Sequence, residues 1–531
     1  MRTEDVGRHL YFFSLALMAV GLTLSPFLMG ASQFLIMGVW LFTGEPVKVK
    51  FNRFLRNKVA VIVASLYLLH LVGLLYTSDY AYAFKDLRVK LPLLILPLVL
   101  SSEKPLDKKH FDLLMLIYVA SVFVATCVSF ATYVRHDYGD IREISRFISH
   151  IRFCLNIVFC IAVVCHYTVE KQVAKGGSVP PFNLKVALDH FLRWFMLIWF
   201  LYQIYLFKSI SGYMALLGFV IASLVYVFFA KVKTTGWRVA LLAFIIAIPL
   251  AVGVYLYRTV TPMFSEPEVD FATLDQKTAL GNDYWHDTVC FPAENGRWVG
   301  LYFCRPEMRE VWNQRSTLDY DGLTLNGENL EATLARYLTS KDLRKDASGV
   351  AALDAQDITN VEQGVANYEC WSRSTLYARL SETAFEYNQY RRHNNPNGGS
   401  LSQRIEYTKA SLYLIKRHPL FGVGTGDILN AYQQAYDETQ SPLEPQYRHR
   451  AHNQYLAITV GFGVVGLLVF LVSLLYPFCS SKGRRTYLYT VFLVIMMVSM
   501  LVEDTLETQA GVMLFAFFNS LLIFAFPKST S

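Results

Sequence analysis

Apolar residues run along this chain in long blocks, at 9–29, 32–44, 59–76, 89–101, 110–133, 151–168, 191–208, 211–230 and 237–257, and return at 453–477, 486–502 and 511–526. A helix crosses the bilayer hydrocarbon in about 20 residues, and there every backbone polar group must be satisfied within its own segment. The pattern predicts an all-α polytopic membrane protein of about twelve transmembrane helices. Three parts follow: an N-terminal bundle of about nine spans over 1–257, a mixed but mainly helical insert over 258–450, and about three spans over 451–531. Two blocks are ambiguous: 32–44 is short, and 89–101 carries Pro92 and Pro97, so either is expected as a span or as a broken or re-entrant segment.

The first block follows Arg2 and Arg8, as a secretory signal would. It exceeds the 7–15-residue core of such signals and a second block follows at once, so a retained signal-anchor helix is expected. Basic residues sort the loops by side. Lys48, Lys50, Arg53, Arg56 and Lys58 occupy one loop, Lys231, Lys233 and Arg238 another, and Lys482, Arg484 and Arg485 a third; with twelve spans all three share one side with both termini, and the positive-inside tendency makes that side cytoplasmic. The acidic turn of Glu503, Asp504 and Glu507 and the insert then lie outside. Only 17% of the 531 residues are charged, against about 25% in soluble domains. The net charge of +7 is accounted for by cytoplasmic loops facing anionic headgroups and requires no nucleic-acid partner.

Within the insert, 262–304 is rich in aromatic residues and predicts strands and turns, whereas 328–392 has apolar residues at three- and four-residue spacing and predicts helices. HNNPNGGS at 393–400 interrupts them. Ser400 and Gln403 fit a capping box for a helix starting near Leu401 and ending before Pro419, with Arg404 one turn in. Cys290 and Cys304 flank a turn and are candidates for a disulfide in an oxidising compartment, although Cys370 leaves an odd thiol. Cys127, Cys154, Cys160, Cys165 and Cys479 lie in or beside spans and read as small apolar residues. Residues 285–367 carry no motif that points to chemistry.

Several stretches invite a chemical reading. GVGTG at 422–426 follows a helix and a proline rather than a strand, so a turn is favoured over a phosphate-binding nest. Asp319-Tyr320-Asp321-Gly322 has the Asp-x-Asp form of a metal site, but two carboxylates before a glycine are also an ordinary turn, and the turn is strongly favoured. His449 and His452 lack the carboxylate or cysteine neighbours in sequence that would complete a metal site. Basic residues collect at the outer edge of the spans: Arg88, Lys90, Arg152, Lys208, Arg404, Arg448 and Arg450. Singly each reads as an interfacial side chain; together they would suit a lipid-linked diphosphate. His452, with Asn453 at the head of a span, is either an interfacial histidine or a base.

Arg404, then KRHPLFGVGTGD at 416–427, then HRAHNQYLAITVGFGVVGLLVFL at 449–471 together resemble the signature of the O-antigen ligase and polymerase superfamily. The order is an arginine on a helix, a proline-glycine box, and a histidine-asparagine box opening a glycine-bearing span. The insert before the last three spans and the proline-bearing RVKLPLLILPLVL are also similar to that superfamily. The resemblance implies a glycosyltransferase that moves a glycan from undecaprenyl diphosphate, for a ligase onto the sugar core of lipid A, at the periplasmic face of a bacterial inner membrane. It implies His452 and Arg404 as catalytic, Arg88, Lys90, Arg152, Lys208, Arg450 and Asn453 as candidates toward substrate and diphosphate, and Asp504 or Glu503 as the acidic residue between the last two spans. Ser209-Ile210-Ser211-Gly212-Tyr213 departs from the family, with glycine or tyrosine where a second arginine is expected; Lys208, Arg152 and Arg88 are the candidate substitutes.

The implied chemistry is physically coherent. Neutral imidazole can take the proton of an attacking hydroxyl, and guanidinium groups can absorb the charge that grows on a departing diphosphate. The donor is already activated, so no nucleotide, redox cofactor or metal is expected. A glycan polymerase and a protein O-oligosaccharyltransferase share this chemistry. A flippase or scaffold that only binds the lipid is the non-enzymatic alternative, and it would be expected to place ionisable groups inside paired halves.

Overall fold

The computed structural model describes residues 3–136, 138, 141–174, 184–230, 232–289, 293–373, 375–480 and 486–526. They form a helical protein whose chain divides into two compact units, Met1–Ile245 with Arg404–Ser531, and Ile246–Gln403. Composition changes near 258 and 450, but packing divides the chain elsewhere: residues 404–450, though hydrophilic, fold with the apolar helices.

The helices of the first part are α1 (Thr3–Leu24), α2 (Pro26–Phe42), α3 (Val47–Arg56), α4 (Lys58–Val72), α5 (Tyr80–Lys90), α6 (Pro92–Ser102), α7 (Lys108–Val134), α8 (His150–Ala174), α9 (Leu184–Phe207), α10 (Ile210–Ala230) and α11 (Thr235–Val260). Eight helical segments among the described residues are long and apolar enough to cross a bilayer, or nine if α2 and α3, bent by 111°, are counted as one. The block at 9–29 is broken. Ser25 accepts a hydrogen bond from the Leu28 amide at 3.3 Å and Pro26 opens α2, where its missing N–H costs nothing, so α1 ends at Leu24. The proline-bearing block is likewise broken: α5 runs to Lys90 and α6 restarts at Pro92. At 1.5 Å per residue α6 is only about 17 Å long, short of the hydrocarbon thickness of about 30 Å. It is instead buried on nearly every face.

The second unit carries α12 (Arg305–Arg315), α13 (Leu330–Ser340), α14 (Ala347–Ala351), α15 (Ala355–Glu362), α16 (Tyr368–Ser372) and α17 (Thr375–His393). α12 to α16 pack around Trp312, Tyr320, Tyr337 and Leu334, all fully buried, while α17 packs Tyr377 and Ala384 against Met263. Among the described residues, the strands expected over 262–304 reduce to a hairpin of two-residue strands, β1 (Ala293–Glu294) with β2 (Arg297–Trp298), since most of that stretch meets its neighbours through turns and isolated bridges. The Asp319–Gly322 stretch is a turn: the Gly322 amide donates to the Asp319 carbonyl at 3.0 Å and Asp321 pairs with Arg309 at 2.7 Å. Cys290 lies outside the described residues, so the disulfide expectation falls there; Cys304 is buried.

The chain then continues through α18 (Ser400–Arg417), α19 (Ile428–Glu438), α20 (Gln454–Cys479), α21 (Tyr487–Val502) and α22 (Gln509–Ser520). α18 starts one residue earlier than the capping-box reading and ends, as expected, before Pro419. The last helix is the centre of the first unit. Every residue from Gly511 to Ser520 is buried, and Phe518 meets Tyr118 and Phe159 edge-on at ring separations of 4.6 and 4.7 Å. In contrast α11 buries no residue, which suits an apolar helix surrounded by lipid.

Candidate active site

α20 begins where a side chain can replace the missing intrahelical partner. Asn453 is its N-cap, with an extended backbone and its Oδ1 accepting from the Leu456 amide at 3.0 Å. The same side chain donates through Nδ2 to the carbonyl of Leu501 in the last turn of α21, at 2.8 Å. One asparagine therefore sets the start of α20 beside the end of α21, and His452 before it faces the acidic turn Glu503-Asp504 after α21.

Glu503 is the hub of that meeting. Its carboxylate accepts from Arg404 of α18 at 2.7 Å and from Arg152 of α8 at 3.2 Å, with His452 Nδ1 at 3.6 Å. Arg404 also donates to the Val502 carbonyl. Asp504 lies 3.7 Å from Arg152, 3.8 Å from His452 Nδ1 and 4.0 Å from Arg450. The two adjacent carboxyls are driven apart. Burial alone would raise Glu503, but the contact to His452 and the charges of Arg152 and Arg404 outweigh it and hold the group at about 2. For Asp504 burial dominates over Arg450 and His452, and its carboxyl is raised. The carboxyl beside His452 is thus a firm anion.

A second ion group adjoins the first through Arg450. Glu507 pairs with Lys90 at 2.7 Å and Arg450 at 3.0 Å, and its other oxygen accepts from Gln454 Nε2 at 3.0 Å. Gln454 in return accepts the Leu506 amide at 2.6 Å, and Lys90 also pairs with Asp86 at 2.6 Å. Although burial opposes it, Lys90 and Arg450 keep Glu507 well below the usual carboxylate range. This group ties the end of α5, the 449–453 linker and the start of α20 to the turn that carries Glu503.

The glycine box holds α20 from the other side. α20 is interrupted at Gly463, whose φ is +64°, and the amides released there, of Val464 and Val465, donate to the carbonyls of Pro419 and Leu420 at 2.8 and 3.3 Å. Within the box, Val423 and Gly424 donate to Val460 and Gly461 of α20 at 3.0 and 2.9 Å, and the Gly426 amide donates to Thr77 at 2.8 Å. A Cβ on Gly422 (φ +67°) would stand 2.3 Å from the Gly461 carbonyl carbon, and one on Gly463 would stand 2.2 Å from Leu420. The box is therefore a backbone clasp rather than an anion nest: these amides already have protein acceptors.

Residues 368–471 match the family model described as O-antigen ligase. This stretch belongs to the O-antigen ligase superfamily. No curated protein matches the chain. The O-antigen ligase stretch contains Arg404, the clasp and the His452 box, so the family match and the ion cluster fall on the same residues. It supports a glycosyltransferase-type membrane enzyme of polysaccharide biosynthesis with a lipid-linked glycan donor and a glycan acceptor.

The structure gathers some of the sequence candidates and not others. His452, Arg404, Arg152, Arg450, Asn453 and Asp504 share one cluster. Lys90 is 1% exposed and held by two carboxylates, so its ammonium is closed to a ligand. Arg88 and Lys208 are exposed and form no ion pair among the described residues; Lys208 stands at a positive φ of 50° at the junction of α9 and α10. Of the three candidates for the missing second arginine, Arg152 is the one inside the cluster. Arg448 pairs instead with Asp437 at 2.6 Å. Sequence reasoning gave Asp504 the first place and missed the hub role of Glu503 and the partners Asp86, Glu507 and Gln454; the E-D-x-x-E spacing of 503–507 was the available signal. His452, Glu503 and Asp504 also offer ligand atoms within 4.8 Å of one another. Arg152, Arg404 and Arg450 already face those carboxylates, an arrangement that opposes a divalent cation.

Proposed function

We propose that this protein is an inner-membrane enzyme that moves a glycan from undecaprenyl diphosphate to an acceptor, with ligation of O-antigen to lipid A-core as the favoured reaction. In this reading α2, α5 and α6 taken together, α21 and α22 complete a set of about twelve spans. The basic loops then lie in the cytoplasm, and the insert and the Glu503 cluster on the periplasmic side. The observation that carries the reading is the convergence on one buried anion of Arg404 from α18, Arg152 from α8 and His452 from the linker that leads into α20.

The geometry supports a division of labour. His452 Nδ1 faces Glu503 and Asp504, so a proton on Nδ1 leaves Nε2 free to accept the proton of the attacking hydroxyl, and the carboxylates stabilise the imidazolium that forms. The bond from the anomeric carbon to the diphosphate breaks as the new glycosidic bond forms, and negative charge develops on the departing diphosphate. Arg404, 36% exposed, is open to receive that charge, whereas Arg152, 7% exposed, braces Glu503. Guanidinium groups here do the work a metal does in other transferases.

The test is transfer by purified protein in liposomes, supplied with undecaprenyl-diphosphate-linked glycan and lipid A-core. His452→Ala is expected to lower the rate by about 10²–10⁴-fold, the usual contribution of a general base, while leaving the protein inserted and folded. Retained transfer would remove His452 from catalysis. Offering a second lipid-linked glycan or an acceptor protein in place of lipid A-core separates ligase from polymerase and from protein O-oligosaccharyltransferase.

A further inference from the structure

The turn 419–422 lies deeper than the hydrophilic composition of 404–450 suggests. The Val464 amide of α20, just past the break at Gly463, donates to the Pro419 carbonyl at 2.8 Å. α20 is long and apolar enough to cross a bilayer. Its part after the break, 464–479, is about 24 Å long, against a hydrocarbon core of about 30 Å. When α20 spans, at least about 6 Å of the helix before the break therefore lies in hydrocarbon too. The turn pinned to the break is immersed with it.

Irregular backbone is tolerated at membrane depth where protein satisfies its polar groups. The successive carbonyls of 418–421 are all taken. That of His418 accepts from the Gly422 amide at 3.2 Å, those of Pro419 and Leu420 from α20, and that of Phe421 from the Tyr76 hydroxyl at 2.8 Å. Just downstream, the Thr425 hydroxyl donates to the His70 carbonyl of α4 at 2.7 Å. The turn is thus fixed against two apolar helices, α4 and α20, that themselves qualify as spans.

The side chains at its tip point away from the protein. Leu420 and Phe421 are 60% and 61% exposed and join neither of the buried clusters formed by the flanking helices. Val464 and Leu468 of α20, Val72 at the end of α4 and Leu75 just after it are exposed as well. Facing water these would form a large apolar patch of the kind that marks a binding surface. Two cations precede the tip: Lys416, exposed and without an ion pair among the described residues, and Arg417, half exposed and paired with Glu438 at 2.7 Å. Long basic side chains of this kind reach headgroup phosphates while their stems lie along apolar surface.

We propose that the turn 419–422 is a finger inserted into the membrane leaflet at the His452 end of α20, with phospholipid acyl chains against Leu420 and Phe421 and headgroup phosphates at Lys416. Its partner is the bilayer itself, because the depth is set by α20 and the exposed apolar side chains continue onto the lipid-facing sides of α4 and α20. The start of α20 then stands within about 9 Å of the hydrocarbon edge, so the Glu503 cluster lies at headgroup depth. The finger depends on α20 crossing the bilayer and not on glycosyl transfer, so the two readings stand or fall separately.

The experiment places a photocrosslinking benzoylphenylalanine at Leu420, at Phe421 and, as a control, at Gln446, an exposed polar position upstream of His452. At Phe421 the replacement keeps an aromatic ring, so that variant is the one expected to fold as the parent does. Each full-length protein is reconstituted in liposomes of phosphatidylethanolamine and phosphatidylglycerol, irradiated, and its adducts are identified by mass spectrometry. Phospholipid adducts through the acyl chain are expected at 420 and 421, several-fold above the yield at 446, and unchanged when lipid-linked glycan is added in equimolar amount. Adducts to protein alone at 421, to headgroups alone, or at equal yield from Gln446 would overturn the insertion. Replacement of the phospholipid adduct by a polyprenyl adduct would overturn the bilayer assignment and make the tip a seat for the donor's tail.

Discussion

Glu503→Gln probes the hub of the acidic cluster without changing its shape. The native carboxylate is 2% exposed and faces Arg404, Arg152 and His452. Its group titrates near 2 in the folded protein against an ordinary 4.5. A carboxyl lowered by folding contributes stability that is fully present above the unfolded value and is lost as pH falls toward the folded one. That lowering corresponds to about 3 kcal/mol, present at pH 7 and lost between about pH 4.5 and 2. Mutation gives a similar figure by another route: removing one member of a buried ion pair costs about 3–5 kcal/mol, and the lower end applies because Arg152 keeps Asp504 at 3.7 Å. The assay is unfolding in mixed micelles at a series of pH values, alongside glycan transfer in liposomes. Glu503→Gln should lose about 3 kcal/mol at pH 7, flatten the acid limb of the stability profile, and reduce transfer through misorientation of His452. An unchanged stability at pH 7 together with an unchanged acid limb would refute the hub assignment.

The remaining predictions concern single features. Arg404→Lys keeps the charge but removes the fork that reaches both Glu503 and Val502, so transfer should fall severely, while Arg88→Gln and Lys208→Gln should stay within about twofold of the parent; a comparable loss in all three, read as initial rate, would remove the distinction. Gly422→Ala places a Cβ 2.3 Å from the α20 backbone at a residue with φ +67°, so α20 must shift, and folded yield and thermal midpoint should both drop sharply. Chelation by excess EDTA should leave transfer intact, because Arg152, Arg404 and Arg450 occupy the carboxylates that a cation would need; loss of transfer restored by a divalent ion would revise the chemistry.

What the sequence determines by itself is local and one-dimensional. Long apolar blocks imply helices that satisfy their own backbone, and Pro26 and Pro92 start helices because proline lacks the N–H an interior position needs. The Arg404, HPLFGVG and His452 boxes were legible for the same reason: they are contiguous strings, and they lie inside the O-antigen ligase match. Asn453 as a cap could be read from its place before an apolar run. Charge pairing could not. Arg152 and Glu503 stand 351 residues apart and Lys90 and Glu507 stand 417 apart, and only the packing of α5, α8, α18 and α20 around the end of α21 decides that Arg152 enters the cluster while Arg88 and Lys208 face outward. The role of the glycine box depends on the break of α20 at Gly463. Its string permits a phosphate nest or a turn, and which one forms depends on where its amides find acceptors, which here are the carbonyls of a neighbouring helix. Composition and spacing fix which groups are available; the tertiary structure decides which of them are left unpaired, and chemistry and binding depend on that remainder.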